Sequence, residues 1–333
     1  MAIKSVIEEW LEWLSLNKGR SDATIIKYRG YLLEFESFLE DCALDDVDLK
    51  LLEQFTGKFL FEKGLVSGSR SAAIAAIRNF FAWVTKKGFI SRNPAEDLAY
   101  PTLGRRLPRA ISLQDAEKLL NSIDLDSFQG VRDAAMLAVL IGCGLRVSGL
   151  CNLNQSSLIF GADDKGRERL YIRAKEKGSK ERIVPAPTET MLLIRAYLGH
   201  VDLERIDRTL KNGDQVLFVS VGNKKVPIYE YIGEARRISP RSINDILSKH
   251  ADAAGVSAEF AHPHAFRHLY GAELMESDAT TLSAQALMGH EDPKTTEIYS
   301  HLAMRKLTDV VDRSNPLGKI HTPVSDLVKH LNT

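Results

Sequence analysis

At 333 residues and 37.1 kDa the chain exceeds the roughly 250 residues over which a single core usually grows, so two domains are expected. A composition 44% hydrophobic and 26% charged excludes disordered and fibrous classes, and the longest apolar run, the 12 residues Ala134–Leu145, is too short for the roughly 20 that cross a bilayer. Lys+Arg and Asp+Glu number 44 each, which excludes a uniformly basic polyanion-binding surface and leaves any contact with a polyanion to local patches.

The first hundred residues read as four helices. Ile3 to Leu16 carries Ile7, Trp10, Leu11 and Leu14 at helical spacing, and Ser21 or Asp22 can cap a second helix to about Leu39. Asp48 opens a third through Phe61. Ser69 can start a fourth, carrying Ile74, Ile77, Phe80, Phe81 and Val84, that stops near Lys87-Gly88. Asn93-Pro94 ends this unit, and Tyr100-Pro101 through Leu107-Pro108 is an aperiodic linker holding Arg105 and Arg106, with Arg109 just beyond. The expected organisation is therefore a helical domain over 1–97, a linker over 98–110, a larger domain over 111–312 and a tail over 313–333.

In the larger domain Ser112 with Asp115 restarts helix, and Val131 to Leu140 is apolar almost all round, as in a buried helix. Alternation at Leu170-Tyr171-Ile172, a glycine at 178 and an extended run at Ile183-Val184-Pro185 predict a β-hairpin. Helical patterns return at Thr188–Leu198, Pro240–Ala254, Ala265–Met275 and Ala284–Leu287, and again after Asp292-Pro293. The fold class is mainly α with a small β-sheet. In the tail Val324, Leu327, Val328 and Leu331 form one apolar stripe on a segment too short to be stable alone, so it docks on its own domain or on a neighbouring protomer. Cys42, Cys143 and Cys151 have no metal-ligand spacing and read as small packing residues, and no signal segment opens the chain, so a cytoplasmic location is expected.

Charge is uneven. Lys165 to Arg182 carries eight basic residues against Glu168, Glu176 and Glu181, a local net of +5, and such a run beside a phosphate site suits DNA backbone. Four distant segments hold phosphate-binding or proton-handling groups: Gly144-Leu145-Arg146-Val147-Ser148, Lys177-Gly178-Ser179-Lys180-Glu181-Arg182, His264-Ala265-Phe266-Arg267-His268, and Gly289-His290 followed nine residues later by Tyr299. His262, His264 and His268 make a poor metal set, because the His-Pro-His step does not align two rings on a helix face and no carboxylate lies beside them. Gly142, Gly144 and Gly149 lack the spacing of a dinucleotide fingerprint.

In their order and spacing these segments resemble the tyrosine recombinases, the Xer-like and phage-integrase-like strand-exchange enzymes, over about residues 3 to 310. The resemblance implies a two-domain C-shaped DNA clamp, a helical core-binding domain followed by the catalytic domain. It matches Arg146 and Arg267 to the arginines that hold one phosphodiester; the planar guanidinium fork suits that task through two parallel hydrogen bonds. His264 lies three residues before Arg267, on one helix face with it, and His290 supplies a further donor. Tyr299 matches the nucleophile, a phenol of ordinary pKa near 10 that needs neighbouring cations to attack, and Lys177 matches the general acid. Lys175 and Lys180 compete for that last role and otherwise join Arg182, Arg105, Arg106 and Arg109 as DNA-backbone contacts. Lys27, Arg70 and Arg78 are the candidate readers in the leading domain.

One position departs from the pattern: Gly149 stands where the family usually has an acid. The resemblance implies cleavage and rejoining of double-stranded DNA at specific sites through a 3′-phosphotyrosine and a Holliday junction. It implies four protomers, identical or paired with a related recombinase, with neither ATP nor a metal, and no membrane. The rivals are type IB topoisomerase-like relaxation and a catalytically silent DNA-binding protein of the same fold, whose expected loss of the tyrosine or an arginine is absent here.

Overall fold

Helix signals in the first hundred residues are answered by a bundle whose core is unusually aromatic. The computed structural model describes residues 3–40, 42–102, 110–163, 166–175, 181–277, 279–289 and 301–331, with backbone alone at 301–305 and 330–331. Contacts between Cα positions divide the chain into two units, Met1–Arg106 and Leu107–Thr333.

In the first unit α1 (Ile3–Lys18), α2 (Asp22–Leu39) and α5 (Ser67–Lys86) are joined by a broken third segment, α3 (Leu49–Glu53), a wide π turn (Gln54–Phe59) and α4 (Leu60–Glu62). Asp48 caps α3 as the sequence predicts, its Oδ1 accepting from the Leu51 amide at 2.8 Å. The last helix starts at Ser67 rather than Ser69, with Val66 at the N-cap, because the Ser69 amide already bonds the Val66 carbonyl at 2.9 Å. Trp10, Phe35, Phe55, Phe80 and Phe81 are fully buried, and edge-on pairs such as Trp10–Phe80 (centroids 5.6 Å) and Phe35–Phe55 (5.1 Å) add directional attraction to the area they hide from water.

The second unit wraps helices around α7 (Phe128–Cys143), in which every residue from Gly130 to Cys143 is buried. Within it Arg132 and Asp133 are tolerated because they satisfy each other: Asp133 Oδ1 accepts from Arg132 Nη2 at 2.7 Å, and its Oδ2 lies 3.0 Å from His250 Nε2 of α11 (Pro240–Ala254). Before it, α6 (Leu113–Asn121) is capped by Ser112, whose Oγ accepts from the Asp115 amide at 3.0 Å. After it comes α8 (Val147–Cys151) and an antiparallel sheet of β1 (Leu158–Ala162), β2 (Glu168–Lys175) and β3 (Glu181–Ala186) in that order. β2 and β3 are the predicted hairpin, paired from Leu170↔Ala186 to Lys175↔Glu181; β1 is an addition.

Then follow α9 (Thr188–Leu198), the single turn α10 (Val201–Glu204), α11, α12 (Pro263–Glu276), α13 (Thr281–Met288), α14 (His301–Ser314) and α15 (Ser325–Leu331). α14 is fastened to the sheet by Arg169, which donates to both oxygens of Asp312 at 2.9 and 2.6 Å. The tail packs on its own unit. Val324 reaches the core, α15 lies against α9, and the His321 amide donates to Glu117 Oε1 at 3.0 Å. Cys143 and Cys151 are buried and Cys42 half-buried, all with free thiols, and burial pushes the Cys143 thiol up to about 12.

Candidate active site

α7 ends on Gly144 in the left-handed region at φ +56°, and two residues later Arg146 occupies the N-cap of α8 in extended conformation. Only glycine fits this corner, since a Cβ at 144 would lie 2.3 Å from the ring of Tyr270, a fully buried side chain of α12. Gly144→Ala is accordingly expected to lose about 3 kcal/mol or more of stability, summing the left-handed penalty and the overpacking against Tyr270. Urea denaturation checks it; a midpoint equal to wild type contradicts it.

Arg267 projects from α12, whose N-terminus is shaped by Pro263 at the first helical position and by His262 at the N-cap, Nδ1 accepting from the Ala265 amide at 3.2 Å. Arg267 is 7% exposed; its Nη1 donates to the Gly144 carbonyl at 2.5 Å and its Nη2 to the Met288 carbonyl. α13 ends at Met288, with Gly289 following in the left-handed region at φ +64°. Arg146 Nη2 reaches the Gly289 carbonyl at 3.4 Å, and Arg182 Nη1 donates to the Leu287 carbonyl.

Three consecutive carbonyls at the C-terminus of α13 thus receive three guanidiniums. This is where a helix leaves carbonyls without intrahelical partners and where its dipole is negative. Burial, and then the charges of Arg182 and Arg146, pull the Arg267 guanidinium down from its ordinary range to about 9, so it stays protonated at neutral pH. Arg267 pairs with no carboxylate among the described residues.

His264 and His268 are exposed on the same helix. Burial, and then their two charges, hold the half-buried His262 below the ordinary histidine range. Among the described residues no three His, Cys, Asp or Glu side chains gather as a metal site. Gly149 is buried in α8; a Cβ there meets nothing nearer than the Lys175 carbonyl at 3.7 Å, so packing at Cβ does not require a glycine. Lys177, Lys180, His290, Tyr299, Arg105, Arg106 and Arg109 lie outside the described residues.

The remaining DNA candidates separate. Lys27 and Lys175 are exposed, Lys175 with Glu181 at 3.5 Å. Arg70 lies 5.4 Å over the Phe61 ring, and Arg78 donates to the Leu98 carbonyl at 2.8 Å, which commits that guanidinium to packing within its own unit. Arg182 corrects the picture of a solvated basic hairpin: it is 5% exposed and belongs to the arginine cluster. Arg169, from the same charge run, is also buried, against Asp312 and Asp163. The signal for Arg182 lay in the period of two along β3, which puts it on the face of Val184 and Ala186, both core residues.

Residues 109–306 match the phage integrase family model, and residues 7–88 match the phage integrase N-terminal SAM-like domain. The chain is 30% identical over 317 residues to the tyrosine recombinase XerC of Thermodesulfovibrio yellowstonii, covering 94% of this chain and 97% of that one. Among solved structures it is similar to the XerH site-specific recombinase bound to palindromic difH substrate in a post-cleavage complex. The TM-score is 0.62 at 19% identity, over 91% of this chain and 82% of that one. It is also similar to a lambda integrase tetramer bound to a Holliday junction, with TM-score 0.60 at 15% identity over 93% and 78%. At those identities the likeness is one of fold.

Proposed function

The chain belongs to the phage integrase family and is a tyrosine site-specific DNA recombinase, and from that premise we propose how its residues divide the reaction. Arg146 and Arg267 grip the non-bridging oxygens of the scissile phosphodiester, with His264 and His290 as further donors. Tyr299 Oη gives up its proton to solvent and attacks phosphorus, forming a 3′-phosphotyrosyl ester as the bond to the 5′ oxygen breaks, and Lys177 gives that oxygen its proton. A 5′-hydroxyl from the partner duplex then attacks the phosphotyrosine, and the phenol leaves with its proton restored. One ester replaces another at each step, so bond energy is carried through without ATP, and the guanidiniums supply the charge stabilisation a metal would otherwise give.

The observation that carries this assignment is the meeting of Arg146 and Arg267, distant in sequence, on adjacent carbonyls at the end of α13, immediately before His290. Arg146 and Arg267 hold charges that repel each other in the free protein, and a phosphate diester between them relieves that repulsion. The helical unit at 1–97 grips DNA, with Lys27 as a reader; the unit at 111–312 performs the chemistry, and Lys175, Lys180, Arg105, Arg106 and Arg109 contact the DNA backbone. The working assembly is a tetramer on two DNA sites, passing through a Holliday junction, in the cytoplasm. The likeness of fold to a lambda integrase tetramer on such a junction supports that reading, and no described helix is long and apolar enough to cross a membrane.

The test uses two differently labelled duplexes sharing a core recovered from a random-sequence pool by detergent-resistant adduct formation. Hybrid duplexes bearing both labels are expected. Adduct with plasmid relaxation but no hybrid product would assign relaxation chemistry instead, and absence of any adduct would leave only binding.

A further inference from the structure

Arg182 stands apart from the roles just assigned. It lies on β3, five residues after Lys177, in a hairpin basic enough that its charges are expected to turn outward. Instead the period of two turns Arg182 inward with Val184 and Ala186, and its partner across the ladder is Ala174, a buried residue whose small side chain leaves room for the arginine stem. The stem then runs against Gly289: a Cβ at 289 would lie 3.1 Å from Arg182 Cδ and 3.2 Å from its Nε. Its Nη1 donates to the Leu287 carbonyl, one residue before the carbonyl that holds Arg267 and two before the one that Arg146 reaches. Its charge also bears on Arg267 and on the buried Cys143 and Tyr270.

We propose that Arg182 is a positioning residue for strand cleavage: it braces the C-terminus of α13 from the β3 side, so that the Met288 and Gly289 carbonyls aim Arg267 and Arg146 at the scissile phosphate. The bare Cα of Gly289 is the other half of the brace, because any side chain there would push on the arginine stem. At 5% exposure, Arg182 acts through the two phosphate-binding arginines and makes no contact of its own with DNA. A guanidinium suits the position because its rigid planar fork fixes the direction of the bond to Leu287, whereas an ammonium on a flexible stem gives the same charge with less direction. Loss of the brace lets the two guanidiniums drift relative to the reacting phosphorus, and a misplacement of about 1 Å at a reacting centre costs on the order of 100-fold in rate.

This rests on the reading of Arg146, Arg267 and Tyr299 given above, and the experiment separates the two. Single-turnover adduct formation is followed on a nicked duplex carrying the pool-selected core, with Arg182→Met, Arg182→Lys, Gly289→Ala and the double variant Arg182→Met/Gly289→Ala. Tyr299→Phe serves as the reference, and circular dichroism shows the fold. For Arg182→Met the maximal cleavage rate is expected to fall about 100-fold while the half-saturating DNA concentration stays within about threefold of wild type. Arg182→Lys, which keeps the charge and folds with less disturbance, is expected to recover part of the rate. The double variant is expected to be no slower than Arg182→Met alone, because both changes release one brace.

Wild-type rates in a folded Arg182→Met or Arg182→Lys protein, or strictly multiplicative losses in the double variant, would overturn the proposal. So would a rise in half-saturating DNA concentration with the maximal rate unchanged, which would make Arg182 a direct DNA contact. Adduct formed by Tyr299→Phe would instead overturn the underlying assignment, whatever the Arg182 variants do.

Discussion

Tyr299→Phe is expected to abolish the covalent protein–DNA adduct while DNA affinity stays within about threefold of wild type. The substitution removes one oxygen and keeps the ring, so the surroundings of residue 299 are least disturbed, yet without that oxygen no ester to phosphorus can form. This differs in kind from losing a helper. A missing donor slows a reaction that still proceeds, whereas a missing nucleophile leaves none to slow. The phenol that lies beside the arginine cluster, Tyr270, offers no substitute: it is fully buried beneath Gly144, and burial pushes it above the ordinary tyrosine range. Detergent-gel detection of labelled DNA on the protein, with a mobility-shift titration of the same samples, reads both halves of the prediction.

Arg267→Ala is expected to slow cleavage by about 10³-fold or more, the cost of removing a charged two-pronged donor from a developing phosphorane. Affinity should fall far less, because one phosphate contact among several is lost and the slope of log K against log salt should shrink by about 1. Stability should move little. The lost bonds to the Gly144 and Met288 carbonyls are offset by removal of a buried charge and of its repulsion from Arg182 and Arg146, which together hold Arg267 below its ordinary range. Arg267→Lys should restore little of the rate, since an ammonium cannot span the Gly144 and Met288 carbonyls and still present a fork to the phosphate. Adduct kinetics, a salt titration and thermal melting together check it; a variant that cleaves at wild-type rate, or that loses activity only by unfolding, contradicts it.

The elements best read from sequence were those with local signals. Asp48 and Ser112 cap helices through their own side chains, and the bounds of Thr188–Leu198 and Pro240–Ala254 follow from amphipathic spacing and flanking proline or glycine. β1 escaped because Leu158–Ala162 is short, contains Gly161 and takes its strand identity from pairing with β2. Buried charges escaped for a related reason: Arg169 gives no sign in sequence that Asp312 waits for it, nor Glu189 that Asn315 does.

At the site, the resemblance to the tyrosine recombinases pointed to Arg146 and Arg267. The platform that gathers them, three free carbonyls at the end of α13, has no sequence signature beyond Gly289, since any helix terminus supplies the same groups and only tertiary placement decides who uses them. Arg182 was half legible. Its charge suggested a DNA-backbone contact, whereas the period of two along β3 turns it to the core, where Ala174 leaves room and α13 offers an acceptor.

The assignment of the chemistry is tested most directly by isolating the detergent-stable complex with the pool-selected duplex, digesting both components and identifying by mass spectrometry which amino acid retains a nucleotide. The predicted result is a single peptide in which Tyr299 carries a 3′-linked phosphate, with a free 5′-hydroxyl on the released strand. Attachment at any other residue, or a 5′-phosphate on the protein, would contradict it.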